Sequence, residues 1–312
     1  MPDLSVDQPA GRTSAEALAH SAAELTDEQP EPRRGGRRLR RLLLRPLPLL
    51  AGLAILVLLV LALFGPILAP YDPISPDPVN QFLGPSAEHL MGTDDLGRDV
   101  LSRVMAGTRY SLLAVSIVLV SAVVIGTIVG AVAGYVGGLL DELLMRVTDI
   151  FLAFPGIVLA LALAAALGPS LINGMLSLAA IWWPTYARLV RGQVLSVKEN
   201  AYVEAARSLG VSPSGILVRH ILRQSMTPVV VQASLDVGNV LVAAAALSFI
   251  GLGAQLPTPE WGLMVSADSQ NILNAWWQST FPGLAIFLSA LTFNLVGDIV
   301  QDLLGANTRG RG

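Results

Sequence analysis

From Pro46 to Pro70 the chain runs without a single charged side chain, a stretch long enough for one helix across a hydrocarbon core about 30 Å thick. It begins too far from Met1, and is too long, to be a cleaved signal peptide. Further charge-poor stretches follow at roughly 110–136, 150–168, 171–190, 225–250 and 281–304, each of a length to cross a bilayer. Six crossings are expected, which places both termini on the same side. With 53% hydrophobic and 14% charged residues in 312, the whole chain is too apolar for an ordinary soluble domain. The expected fold class is all-α, a polytopic membrane protein of six transmembrane helices.

The charged residues say which way the bundle faces. Residues 1–32 hold seven acids and one arginine with little aliphatic content, and are expected to form a disordered tail. Residues 33–45 reverse the sign with seven arginines and no acid. Directly before an apolar span, such a cluster reads as a juxtamembrane anchor on anionic lipid rather than a nucleic-acid patch. Arg146, Arg191, Lys198, Arg207, Arg219 and Arg223 fall in loops on the same side, and Arg309 and Arg311 in the tail. The segment Gly251 to Thr280 has no lysine or arginine, and Tyr71 to Thr108 has only Arg98 and Arg103 against six acids. Basic loops stay inside, so both termini are expected in the cytoplasm of a multi-pass cell-membrane protein.

Several chemistries are excluded. The chain has no cysteine, and its histidines (His20, His89, His220) are far apart, so neither a thiolate site nor a histidine metal cluster is expected. Its one lysine, Lys198, precedes Glu199 and follows no glycine-rich loop. A phosphate-cradling loop is therefore missing, and any ATP-driven role requires a partner. No catalytic residue, cofactor or metal is expected on this chain, and serine or aspartate dyads for an intramembrane enzyme are not evident.

Between two apolar spans lies the polar stretch YVEAARSLGVSPSG, Tyr202 to Gly215. It is helix-prone up to Gly210, where a residue lacking Cβ can take the left-handed backbone that ends a helix. Ser212 and Pro213 suit the cap and first turn of a second helix. The reading is helix, tight turn, helix: a hydrophilic hairpin gripped from the aqueous side.

Polar groups inside the spans offer a second candidate site. Gln232, Asp236 and Asn239 stand at i, i+4 and i+7, one stripe on a helix. Asp236 sits about 16 Å into its span, where a carboxylate needs protein or water around it. Two readings stay open: a substrate pathway, or an internal hydrogen bond that locks helices together. Asn294 and Asp298 repeat the spacing nearer the end of the last span, and Asp149, three residues after Arg146, is expected to form a local ion pair. Gly126, Gly130 and Gly134 let two backbones approach closely, and intrachain packing is preferred to a dimer interface.

Glu204 and Gly210, with Ala205 and Ala206 between, resemble the EAA loop of binding-protein-dependent ABC importer permeases. The rest of the chain, from about Pro46 to Leu304, is similar to the dipeptide/oligopeptide/nickel permease family. The matching blocks are GTDDLGRDVLSRVMAGTRYSL from Gly92, MRVTDIFLAFP from Met145, EAARSLG from Glu204, ALSFIGLGAQLPTPEWG from Ala246 and FPGLAI from Phe281. The subgroup resembled is the partner permease with a long external segment after its first helix. Two departures are seen: Arg223 and Gln224 stand where members commonly have proline and asparagine, and Ala243 and Ala244 where an acid is frequent.

This resemblance implies a type I ABC importer permease fold and an ATPase-coupling loop made by Glu204, Ala205, Ala206 and Gly210. It implies a second homologous permease, two ATPase subunits that carry ATP and Mg, and an extracytoplasmic substrate-binding protein. The organisation expected is a cytoplasmic tail (1–45), a first helix (46–70) and an external segment (71–108). A five-helix core (109–305) comes next, with the coupling loop near 191–224, then a short cytoplasmic tail (306–312). Gly92 to Arg103 is expected as an external amphipathic element, either near the binding-protein face or simply a solvated surface. Short peptides are the expected cargo, with nickel chelates or haem as alternatives. A different class, a self-sufficient secondary transporter with Asp236 as an ion or proton site, needs no ATPase but leaves the hairpin unexplained.

Overall fold

The computed structural model describes residues 46–267 and 269–308; the acidic tail, the arginine cluster and the last residues 309–312 lie outside them. Nine α-helices of seven residues or more are seen among the described residues: α1 (Pro46–Leu68), α2 (Val100–Val136), α3 (Gly138–Ala153), α4 (Gly156–Leu167), α5 (Leu171–Val197), α6 (Ala201–Ser208), α7 (Pro213–Phe249), α8 (Trp261–Ala267) and α9 (Trp277–Thr308). No strand occurs among them, only an isolated bridge between Thr93 and Asp99.

Helices Leu47–Leu68, Val100–Val136, Pro213–Phe249 and Trp277–Leu303 are each long and apolar enough to cross a membrane alone. The expected third crossing, 150–168, falls on α4 and the last turn of α3, and it is bent near its start. There α3 and α4 meet at an angle of 92°, because Pro155 pushes the residue before it out of helical conformation and Phe154 is extended, with φ −91° and ψ 146°. The pair counts as a fifth crossing if taken together. The expected fourth crossing falls on α5, which has the length but carries Asn173, Thr185, Tyr186 and Arg188 among its apolar residues. A count of six independent apolar spans is therefore not met. The last helix also runs on to Thr308, through part of the stretch expected as a tail, where no proline stops it.

Helix α2 has 37 residues, or about 55 Å at 1.5 Å per residue, the same length as α7. Asp99 caps it, accepting from Ser102 N–H at 2.8 Å, and Gly137 ends it with φ +71°. Its small-residue stripe packs within the chain. Gly126 lies against Tyr186 and Ala187, Gly130 against Ala187, and Gly134 against Arg191 and Val194. A Cβ at either of the first two would overlap the α5 backbone, so glycine here sets the distance between the two helices. Gly238 and Gly297 do the same for α7 and α9.

Two apolar clusters fill the bundle. One gathers Val115, Val118, Met175, Leu178, Leu241, Leu247, Trp261 and Trp277. The other gathers Trp183, Tyr186, Val190, Val194, Val203, Ile216, Ile221 and Val229, nearer the polar hairpin. Helix α1 packs on α2, where Gly65 lies against Met105, and on α9, while Leu49, Leu53, Leu56, Leu63 and Ile67 remain exposed. A helix apolar all round with most of one side open suits contact with lipid or with another apolar span.

Candidate functional site

The polar hairpin folds as its residues dictate. Helix α6 closes with the two hydrogen bonds of a glycine C-cap: Gly210 N–H to Arg207 C=O at 3.0 Å and Val211 N–H to Ala206 C=O at 3.2 Å. Gly210 takes φ +79°, a conformation that a side chain would strain. Ser212 then caps the next turn, its hydroxyl accepting from Gly215 N–H at 3.3 Å, with Pro213 at the first helical position. The next two turns depart from ordinary α-helix: Ile216–Leu222 is wound as a π-helix before α7 continues, a widened winding that often marks functional positions. The Tyr202 hydroxyl and Gln224 amide oxygen hydrogen-bond across the hairpin's open end, so one of the two residues that depart from the family pattern ties its arms together.

The hairpin has two unlike faces. Val203 and Ala206 are buried with Ile216 and Ile221, which seats it on the ends of α5 and α7. Glu204, Ala205, Arg207 and Leu209 face outward, Leu209 with 84% of its surface exposed. The structure thus divides the sequence-predicted set: Glu204 and Ala205 are presented, Ala206 packs inward, and Gly210 makes the turn.

In α7, the stripe is also divided. Asp236 is buried, accepting from the Tyr186 hydroxyl at 2.8 Å and the Gln232 amide at 3.2 Å. The carboxylate therefore joins α7 to α5. Gln232 is half-buried and Asn239 exposed. Ala243 and Ala244, the other departure from the family pattern, pack against the first core cluster.

Asp149 does not pair locally. Its partner is Arg188 of α5 at 2.5 Å, while Arg146 reaches Glu142 at 3.2 Å. Arg191 grips Asp141 with two nitrogens, at 2.6 and 2.7 Å, the strong bidentate geometry. Asp141, Glu142, Arg146, Asp149 and Arg191, with Gly138 and Met145, line an open cleft of about 310 Å³ between α3 and α5.

At the far end of α2, the segment from Tyr71 to Asp99 folds into a cap around buried charge. Asp94 takes Arg98 Nε at 2.7 Å and Arg103 Nε at 3.4 Å, and accepts N–H bonds from Leu96 and Arg98. His89 Nδ1 lies 3.0 Å from Asp99, and Arg103 also donates to Pro73 C=O. Trp277 and Gln278 both donate to Thr93 C=O, at 3.1 and 3.0 Å, pinning the cap to α9. Asp94, Arg98, Asp99 and Arg103 are all at most 5% exposed. The charges of Gly92 to Arg103 are thus not a solvated surface, and alternating acids and arginines did not betray that they pair with one another. Beside it, Glu260 caps α8 by accepting from Gly262 and Leu263 N–H. Burial pushes its carboxyl up, and those hydrogen bonds oppose the shift.

The family profile "binding-protein-dependent transport system inner membrane component" matches residues 126–310, and "N-terminal TM domain of oligopeptide transport permease C" matches 35–85. The probable D,D-dipeptide transport system permease protein of Escherichia coli is 45% identical over 85% of this chain and 89% of its own. A dipeptide transport system permease protein of Alkalihalophilus pseudofirmus is 42% identical over 82% and 84%. A glutathione transport system permease protein of Escherichia coli is 43% identical over 88% and 90%. Among solved structures, a chain of the inward-facing MetNI methionine ABC transporter matches with a TM-score of 0.53 at 19% identity, over 64% of this chain and 96% of that one. That likeness carries the fold alone. The self-sufficient secondary transporter finds no support in any of these matches. The chain belongs to the binding-protein-dependent transport system inner membrane components: it is a multi-pass, non-catalytic permease subunit of an ABC importer, with the type I permease fold.

Proposed function

We propose that this permease carries short peptides inward, driven by separate ATPase subunits that seat on the α6 hairpin. The hairpin carries this reading. It is rigidly based and stereochemically defined at Gly210, yet it leaves Glu204, Ala205 and Leu209 open, as a surface meant for another protein must. The assembly proposed has a second homologous permease, two ATPases holding ATP and Mg, and an external binding protein that delivers cargo to the cap side. Both termini and the hairpin, within 191–224, lie in the cytoplasm, and 71–108 lies outside.

The relatives are named for D,D-dipeptides, dipeptides and glutathione. Short peptides are the chemistry that these three names share. For the pathway, the open side of α7 bearing Gln232 and Asn239 is the proposed lining, with Asp236 holding that helix to α5 through Tyr186. Amide side chains suit a cargo that is itself a chain of amides.

Uptake of a labelled dipeptide by proteoliposomes containing the complete transporter tests the reading. Glu204→Ala and Gly210→Pro are expected to abolish uptake while the permease still inserts and assembles with its partner permease. Undiminished uptake in both variants overturns it.

A further inference from the structure

Helix α3 carries three kinds of surface. Thr148 and Phe151 face the bundle, Phe151 making an edge contact with Trp183 at 5.4 Å. Asp141, Glu142 and Asp149 share a second face along the cleft. Leu139, Leu143, Val147 and Ile150 form a third, and all four are exposed, Leu139 by 73%.

The ion pairs fix how the helix lies. Asp141 and Asp149 are eight residues apart, about 12 Å along α3, yet their partners Arg191 and Arg188 are three apart, about 4.5 Å along α5. That unequal spacing is what a helix crossing α5 at an angle produces. Because α5 runs the long way through the bundle beside α2, α3 lies across it. The 92° bend at Phe154 then turns the chain upward into α4. The charged face spans two turns with Glu142 and Asp149 exposed, and a helix standing upright in the bilayer would drive one of those carboxylates deep into hydrocarbon.

We propose that α3 is not half of a membrane span but an interfacial helix. It lies in the leaflet nearest the hairpin, with Leu139, Leu143, Val147 and Ile150 sunk in the acyl boundary and its acids in water. A helix with one charged face and one leucine-rich face takes this position, its apolar side buried about 5–10 Å. Lipid is the occupant because the exposed apolar surface runs on through Phe154 into Ile157 and Val158 of α4, in a chain that is a multi-pass membrane protein. The two arginine pairs make α3 a brace on α5. That helix leads within a few residues to the hairpin, so the brace fixes its base relative to the membrane surface. This holds whichever side of the membrane the hairpin occupies.

The natural chain has no cysteine, which allows a direct test. Single cysteines at Leu139, Leu143, Val147 and Ile150, and one at Glu142, are spin-labelled in the complete transporter in lipid nanodiscs. Depth is read from collisions with oxygen and with a water-soluble nickel chelate. The four apolar sites are expected at one shallow depth with strong oxygen access, and the Glu142 site exposed to the chelate. A steady deepening of about 16 Å from 139 to 150, as for an upright helix, overturns the proposal. So does shielding of the four sites from both agents, which would mean that protein, not lipid, covers this face.

Discussion

The cap and the hairpin treat their charges in opposite ways. At the cap, Asp94, Arg98, Asp99 and Arg103 are buried and satisfied by one another and by backbone groups. At the hairpin, Glu204 and Arg207 stand in the open, and the rigidity comes instead from Gly210, Ser212 and an apolar underside. Buried charge whose partners lie within one segment makes a fixed platform. Exposed charge on a stiff turn leaves the contact for another protein to complete.

Stability measurements can break that contrast. Asp94→Ala removes the carboxylate shared by the buried Arg98 and Arg103 guanidinium groups, and the expected loss is about 3–5 kcal/mol, read as the largest fall in thermal midpoint of the purified permease. Tyr186→Phe removes the hydroxyl that reaches Asp236 inside the bundle, with an expected cost of about 1–3 kcal/mol for the acceptor left short of a partner. Ser212→Ala deletes one cap and is expected to cost about 1 kcal/mol. Glu204→Ala is expected to change stability by less than about 0.5 kcal/mol and yet abolish uptake. If Asp94→Ala and Glu204→Ala destabilise equally, the cap is no more a platform than the hairpin.

Local chemistry was readable and distant pairing was not. Gly210, Ser212 and Pro213 occupy the turn and cap positions that their backbone preferences demand, because those preferences act within four residues. The apolar stretches marked α1, α2, α7 and α9, since length without charge is itself the signal. The glycine stripe of α2 marked a close helix contact, though only the structure shows α5 as the partner. For Asp149 the spacing points to Arg146, whereas the fold brings up Arg188, 39 residues away. The cap's charges read as surface because a lone sequence does not show which acids face which bases. The bend at Phe154 was not anticipated, because 150–168 reads as one apolar span, although Pro155 disfavours helix at the residue before it. In the α7 stripe, periodicity placed Asp236 and Asn239 on one side, whereas their surroundings differ: Tyr186 covers the first, while the second stays exposed among the described residues.

The most direct test uses the cysteine-free background again. A single cysteine replacing Ala205 in the complete transporter, in intact inverted and right-side-out vesicles, is treated in parallel samples with a short thiol-reactive photo-crosslinker or with an impermeant thiol reagent. A crosslink to the ATPase subunit, with labelling by an impermeant thiol reagent only in inverted vesicles, is the predicted result. Labelling from the outer face, or crosslinks that never include the ATPase, would contradict the hairpin's role as the coupling surface.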